Sequence, residues 1–229
     1  MRQFACLLLG LVCFSASGGV LRAQATQVLT PVGGGNDIKT WSYGLGYDIG
    51  LQIGTGGVTA GDLDKDAILK GLLEAIEGTE PSIEKEAIMK AMENLGKRIM
   101  ARKASRNKEF LEANKKKDGV QVTESGLQYR VVKSGNGASP TAASQVTVHY
   151  EGKLTSGKIF DSSLQRGQPA TFGVGQVIPG WTEALQRMKV GDKWELVIPP
   201  EIAYGAQGRP PVIGPNEILV FQVELLEVK

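Results

Sequence analysis

At 229 residues, 41% of them hydrophobic and 22% charged, the chain suits one medium domain or two small ones, ordinary in composition apart from its 30 glycines. With 26 Lys and Arg against 24 Asp and Glu, no basic excess calls for nucleic acid or an anionic membrane as a partner. A single histidine, with cysteines only at positions 6 and 13, excludes a disulfide framework and a His/Cys zinc site, so no metal or other cofactor is expected.

Residues 1–25 carry Arg2, an apolar run from Phe4 to Phe14, and small residues at Ala23 and Ala25. That is the pattern of a secretory signal peptide, with a core too short to span a membrane, and it implies export. Cleavage after Ala25 would remove both cysteines, Arg2 and Arg22, leaving 24 charges of each sign. Lipidation at Cys13 is the rival reading, for which Gly10-Leu11-Val12 is a poor context.

From Thr40 to about Lys117 the pattern is helical. Trp41, Leu45, Ile49 and Ile53 recur every four residues, and Gly46, Gly50 and Gly54 follow the same spacing on another stripe. Three glycines in register weaken a helix unless they let another helix approach; a glycine-rich leader is the alternative. A second helix is expected from Asp62 or Asp64 through Ile76, burying Ile68, Leu72, Ala75 and Ile76 and ending at Gly78. A third follows Pro81 with Ser82 as N-cap and Ile88, Met92, Leu95 and Ile99 as its stripe, which lapses after Arg102 into a stalk. Residues 62–93 hold nine acids and four bases, and residues 97–117 nine bases and two acids. Either a solvated surface or pairing between helices, in one chain or across a dimer, accounts for that segregation.

After Gly119 the period becomes two. Leu127, Tyr129 and Val131 alternate with polar neighbours, then Val146, Val148 and Tyr150, then Trp194, Leu196 and Ile198, and finally Leu219, Phe221, Val223 and Leu225. One short helical face, Trp181, Ala184, Leu185 and Met188, interrupts them. The expected fold is therefore α+β: an N-terminal helical region followed by an antiparallel sheet folded around one helix. Strand parity turns Tyr150 inward and His149 outward with Thr147 and Glu151. That removes the one histidine from catalytic candidacy.

Several sharper readings fail. Gly44-Leu-Gly46-Tyr-Asp-Ile-Gly50 is one residue too long for G-x-G-x-x-G, and no strand precedes it. Asp62-Leu-Asp64-Lys-Asp66 opens like a calcium loop, but Ala67 replaces the needed Gly and Leu73 stands where the bidentate Glu belongs. No G-x-S-x-G elbow exists. The tools left are shape, desolvation and hydrogen bonds, carried by Phe160-Asp161, Val177-Ile178-Pro179-Gly180-Trp181 and Ala203-Tyr204-Gly205.

VHYEG, FDSS, QVIPGW, VGDKWELVIPPEIAYG and LVFQVELL, in that order and spacing, resemble the FKBP-type peptidyl-prolyl isomerases. SYGLGYDIG, LDKDAILKGLLEAIEG and FLEANKKKDGV in the helical half resemble the macrophage infectivity potentiator subfamily of exported bacterial isomerases. The resemblance implies a signal peptide over 1–25, a helical dimerisation domain with a stalk over 26–118, and an isomerase domain over 119–229. It further implies an antiparallel half-barrel wrapped on the short helix, with a proline pocket between them. Tyr150, Phe160, Val177, Ile178, Trp181, Tyr204, Ile213 and Phe221 would line that pocket, with Trp181 as its floor. Asp161 and Tyr204 would supply polar contacts, and the Ile178 N–H would hold a substrate carbonyl. Implied partners are proline-containing polypeptide clients, a second copy of the chain and macrolide ligands of the pocket, in the periplasm or cell envelope. A non-catalytic client-binding module on the same fold is the alternative function. Ala170 stands where some members place another pocket aromatic, and Arg209-Pro210-Pro211 is a stiff version of the loop over the site.

Overall fold

The computed structural model describes residues 35–229, so the signal-peptide reading lies outside the described residues. By contact the chain forms two units, one ending at Ile49 and the other running from Gly50 to Lys229. Helix α1 (Gly35–Thr55) carries the four-residue apolar repeat, with Trp41 and Leu45 more than half exposed and Tyr43 stacked on Tyr47 at 6.2 Å. A methyl group placed on Gly46, Gly50 or Gly54 would meet no atom within 4 Å, so the glycine strip is open.

Helix α2 (Lys65–Glu77) begins where Asp64 accepts hydrogen bonds from the N–H groups of Asp66 and Ala67, at 3.1 and 2.8 Å. It ends at Gly78, whose φ of 70° is the left-handed conformation that glycine adopts without steric cost. Asp62 stays outside this helix. Its carboxylate accepts from Arg102 and from the Thr59 N–H, and these bonds, the Arg102 pair foremost, hold its pKa far below the usual carboxylate range. Helix α3 (Lys85–Asn114) starts two residues later than expected, with Glu84 in place of Ser82 at the N-cap position. The Ser82 N–H donates to Glu74 Oε2 at 3.2 Å, so Ser82 fastens the turn to α2 and does not cap α3. The expected buried stripes are also corrected: Ile76 is 72% and Met92 61% exposed, while Leu95 and Ile99 are half-buried. No layer of the single chain covers Ile76 or Met92, so these side chains face solvent.

The sheet comprises β1 (Val120–Val122), β2 (Gln128–Lys133), β3 (Gln145–Leu154), β4 (Ile159–Ser162), β5 (Ala170–Gly173), β6 (Lys193–Ile198) and β7 (Leu219–Val228). All pairs are antiparallel, in the order β1-β2-β6-β7-β3-β4, with β5 also pairing β3. Helix α4 (Pro179–Arg187) lays Trp181, Ala184 and Leu185 into the concave face, with Pro179 in its first turn. This half-barrel on a short helix is the expected fold. Val146, Val148, Tyr150, Leu196, Ile198, Phe221, Val223 and Leu225 form its core beneath α4. Val131 departs from the expected alternation: β2 bulges after it and leaves it 39% exposed.

The far end of α3 is fastened to this half. Asn114, 3% exposed, donates to Gln128 Oε1 at 2.9 Å, and Gln128 Nε2 donates to the Leu111 carbonyl at 3.0 Å. Lys103 meets Glu217 at 2.6 Å, and Asn107 Nδ2 donates to the Asn216 carbonyl at 2.9 Å. A hollow of about 470 Å³ lies beside these contacts and is lined by none of the expected site residues.

Candidate active site

The site is built where β3, β4, β7 and α4 converge. The alternation of β3 sends Tyr150 to the concave face, opposite Val223 on β7. Two residues on, Gly152 pairs with Phe221 on β7 and with Asp161 on β4. Its lack of a side chain has a local reason: a methyl there would come within 2.6 Å of both the Phe160 and Phe221 rings. Those rings meet edge-on at 5.5 Å, and Phe221 packs on Trp181 at 5.1 Å. Tyr150 stands edge-on to Trp181 at 5.3 Å. These T-shaped contacts set the positive ring edge against the negative face and hold each ring in one orientation.

A hollow of about 110 Å³ opens between the rings, lined by Tyr150, Phe160, Asp161, Phe172, Val177, Ile178, Trp181, Tyr204, Arg209 and Phe221. Drug-sized ligands fill roughly 300–1,000 Å³. This hollow has room for one compact side chain. Eight of the nine expected residues line it. Ile213 does not: it is buried, 3% exposed, and lines an adjoining hollow of about 360 Å³ with Phe160, Asp161 and residues 209–212.

The polar edge is a linked trio. The Tyr150 hydroxyl donates to Asp161 Oδ2 at 2.5 Å, Arg166 Nη1 pairs with Asp161 Oδ1, and Arg166 Nη2 donates to the Tyr150 hydroxyl at 2.9 Å. Burial by itself would raise the Asp161 carboxyl, but the bonds from Tyr150 and Arg166 outweigh it and hold the pKa below the ordinary value. Burial, then the Asp161 charge, pushes the Tyr150 phenol up. Arg209 Nη1 donates to the Tyr204 hydroxyl at 3.4 Å, and its guanidinium lies 5.9 Å from the ring centre. The Ile178 carbonyl accepts from Trp181 and Thr182 at the start of α4, while its N–H donates to none of the described groups. His149 stays off the concave face, half-buried, with Nδ1 3.1 Å from Ser163 Oγ.

Phe172, Arg166 and Arg209 are additions to the expected set. Phe172 shares a face of β5 with Ala170 and lies 5.8 Å from Tyr150 and 5.9 Å from Trp181. It supplies from two residues further on the aromatic surface that Ala170 lacks. The period-two signal of a four-residue strand was its one trace in the sequence. Arg166 sits in the turn after β4, where no periodicity marks it.

An antiparallel half-barrel wrapped on a short helix, with an aromatic hollow over a buried tryptophan, defines the class of fold to which this site belongs. The description "FKBP-type peptidyl-prolyl cis-trans isomerase" matches residues 137–226, and "Domain amino terminal to FKBP-type peptidyl-prolyl isomerase" matches residues 38–131. The chain is 45% identical over 194 residues to the FKBP-type 22 kDa peptidyl-prolyl cis-trans isomerase of Escherichia coli, covering 82% of this chain and 93% of that one. It is 41% identical over 226 residues to the peptidyl-prolyl cis-trans isomerase Mip of Coxiella burnetii, covering 93% and 95%. The crystal structure of FkpA from Escherichia coli is similar with a TM-score of 0.56 at 37% identity, over 85% of this chain and 98% of that one. The chain belongs to the FKBP-type peptidyl-prolyl cis-trans isomerases.

Proposed function

We propose that the aromatic hollow is where the isomerase acts, taking a client's prolyl ring against Trp181. The observation that carries this reading is the closed ring of Tyr150, Phe172, Trp181 and Phe221 around a space sized for one side chain. An Xaa-Pro bond isomerises over a barrier of roughly 18–20 kcal/mol because amide resonance must be broken. The planar amide is more charge-separated than the twisted one, so an apolar wall disfavours the ground state more than the transition state. The Ile178 N–H holds a client carbonyl, and Asp161 and Tyr204 orient the twisting amide. Asp161 does so as a carboxylate already fixed by Arg166 and Tyr150, so little reorganisation is needed during the reaction. Lowering the barrier by about 5 kcal/mol gives several thousand-fold acceleration.

The test is turnover of a short Xaa-Pro peptide by the full chain, with and without a proline-mimicking macrolide. Acceleration that disappears with the ligand is expected. Acceleration that persists at saturating ligand places the reaction elsewhere.

We further infer that the chain is exported to the periplasm or cell envelope and helps client proteins fold there. Two copies pair through the helical region over residues 26–118, leaving residues 119–229 as the isomerase part. The open glycine strip of α1 supports pairing, as do the large apolar side chains left exposed in each unit, Trp41 and Leu45 in one and Leu51, Ile76 and Met92 in the other.

A further inference from the structure

The segment 205–216 is closed by its own backbone. The Arg209 N–H donates to the Ile213 carbonyl at 2.8 Å, the Ile213 N–H returns to the Arg209 carbonyl at 3.0 Å, and the Asn216 N–H reaches the Gly205 carbonyl at 2.8 Å. At Gly208 φ is +63°, and a methyl group would come within 2.5 Å of the Ile213 carbonyl oxygen, so only glycine permits this closure. Pro210 and Pro211 each fix a further φ. The loop is thus built before any client arrives, and little freedom is lost on binding.

Arg209 projects from this loop onto the wall shared by the aromatic hollow and the adjoining one of about 360 Å³. Among the described residues Asp161 is the one carboxylate lining either hollow, and Arg166 and Tyr150 already engage it. Arg209 has no carboxylate partner among the described residues; its bond is the long one to the neutral Tyr204 hydroxyl. One positive charge is therefore left uncompensated beside a hollow large enough for a side chain. Phe160, Asp161 and Arg209 line both hollows, so they adjoin, and consecutive residues of an extended peptide stand 3.8 Å apart at Cα.

We propose that the adjoining hollow receives the residue next to the client's proline, and that Arg209 selects a carboxylate side chain there. This rests on the aromatic hollow being the proline site. The enzyme then favours Glu-Pro or Pro-Glu sequences over their amide counterparts, and disfavours lysine at the same place.

The experiment measures kcat/KM of the full chain for two peptide series, Ala-Xaa-Pro-Phe and Ala-Ala-Pro-Xaa, with Xaa as Glu, Gln or Lys. In one series Glu is expected to exceed Gln roughly two- to fivefold at low salt, the range of a partly exposed ion pair, and Lys to fall below Gln. About 0.5 M salt should compress the ratios. Arg209→Gln should flatten the order and Arg209→Glu invert it. Each readout is a ratio within one protein, so a general loss of activity in a variant does not obscure it, and Arg209→Gln serves if Arg209→Glu fails to fold. Equal turnover of Glu and Gln peptides in both series, or a Glu preference that survives the Arg209 variants, overturns the proposal. Either result leaves the proline site standing, because that reading fails only if the pocket ligand does not inhibit.

Discussion

Gly152→Ala tests the site's construction most directly. The added methyl would sit 2.6 Å from Phe160 Cζ and from Phe221 Cε1, against the 3.4 Å at which ordinary contact begins. The shortfall of about 0.8 Å faces two rings on opposite neighbouring strands, so neither can retreat without disturbing the edge-on stacking over Trp181. Overpacking of this kind costs about 1–3 kcal/mol. For a chain of this size that lowers Tm by roughly 2–12 °C. Displacing pocket walls by nearly an ångström is expected to reduce kcat/KM for a short Xaa-Pro peptide by about tenfold or more, because positional errors of that size are costly to a preorganised site. Gly71→Ala is the control: its methyl has open space within α2, so kcat/KM should hold while the helix gains up to about 1 kcal/mol. Peptide isomerisation and thermal melting on the same samples decide it. A Gly152→Ala protein with both wild-type turnover and wild-type Tm would refute the reasoning.

Asp161→Leu and Tyr204→Phe should each lower kcat/KM with circular dichroism unchanged, whereas His149→Ala should leave it nearly intact; a His149 variant as inactive as the Asp161 variant would reverse the assignment. Asp161 has a lowered folded pKa, so its contribution is complete above the ordinary value of about 3.9 and is lost only as pH falls through the lowered one. A kcat/KM profile flat between about pH 7 and pH 5 is therefore expected, and a fall within that range would overturn the role given to the Asp161 carboxylate. Gly50→Leu should shift the protein to monomer in analytical ultracentrifugation; wild-type protein already monomeric at micromolar concentration would end the pairing argument. A Gly119–Lys229 fragment should turn over short peptides about as well as the full chain, since losing partners at Gln128 and Glu217 costs only about 1 kcal/mol per bond once both face water. The same fragment should be slower in proline-limited refolding of a protein client, where a second tethered contact can add on the order of a hundredfold. Equal loss in both assays would mean the helices shape the pocket.

Much of the sheet half was legible because a half-buried strand writes its two faces into alternate residues. Val146, Val148 and Tyr150 are buried and His149 is not, as parity required. Asp64 and Gly78 bracket α2 through local chemistry that depends on neighbours two or three residues away. Ser82 misled for the opposite reason: Glu74, eight residues back, claims its N–H, and short-range rules do not see such a competitor. The helical stripes were periodic, but periodicity names a face without naming what covers it. Phe172 and Arg166 escaped because the strand that carries one is four residues long and the turn that carries the other has no period at all. Gly152 was visible only as a motif letter, and its purpose needs the two rings in place.

The fastening of α3 to the far half bears on how such enzymes can be recombined. Lys103 and Asn107 grip Glu217 and the Asn216 carbonyl, and the Asn216 N–H in turn closes onto Gly205, directly after Tyr204. A chimera that kept this isomerase half but took its helix from a relative lacking those two side chains would leave Glu217 and the Asn216 carbonyl unclaimed. Water can take the place of both side chains, so a break at Gly119 leaves short-peptide turnover intact, whereas a swap meant to keep the helix fastened to the loop has its break point upstream of Lys103, well before the first strand.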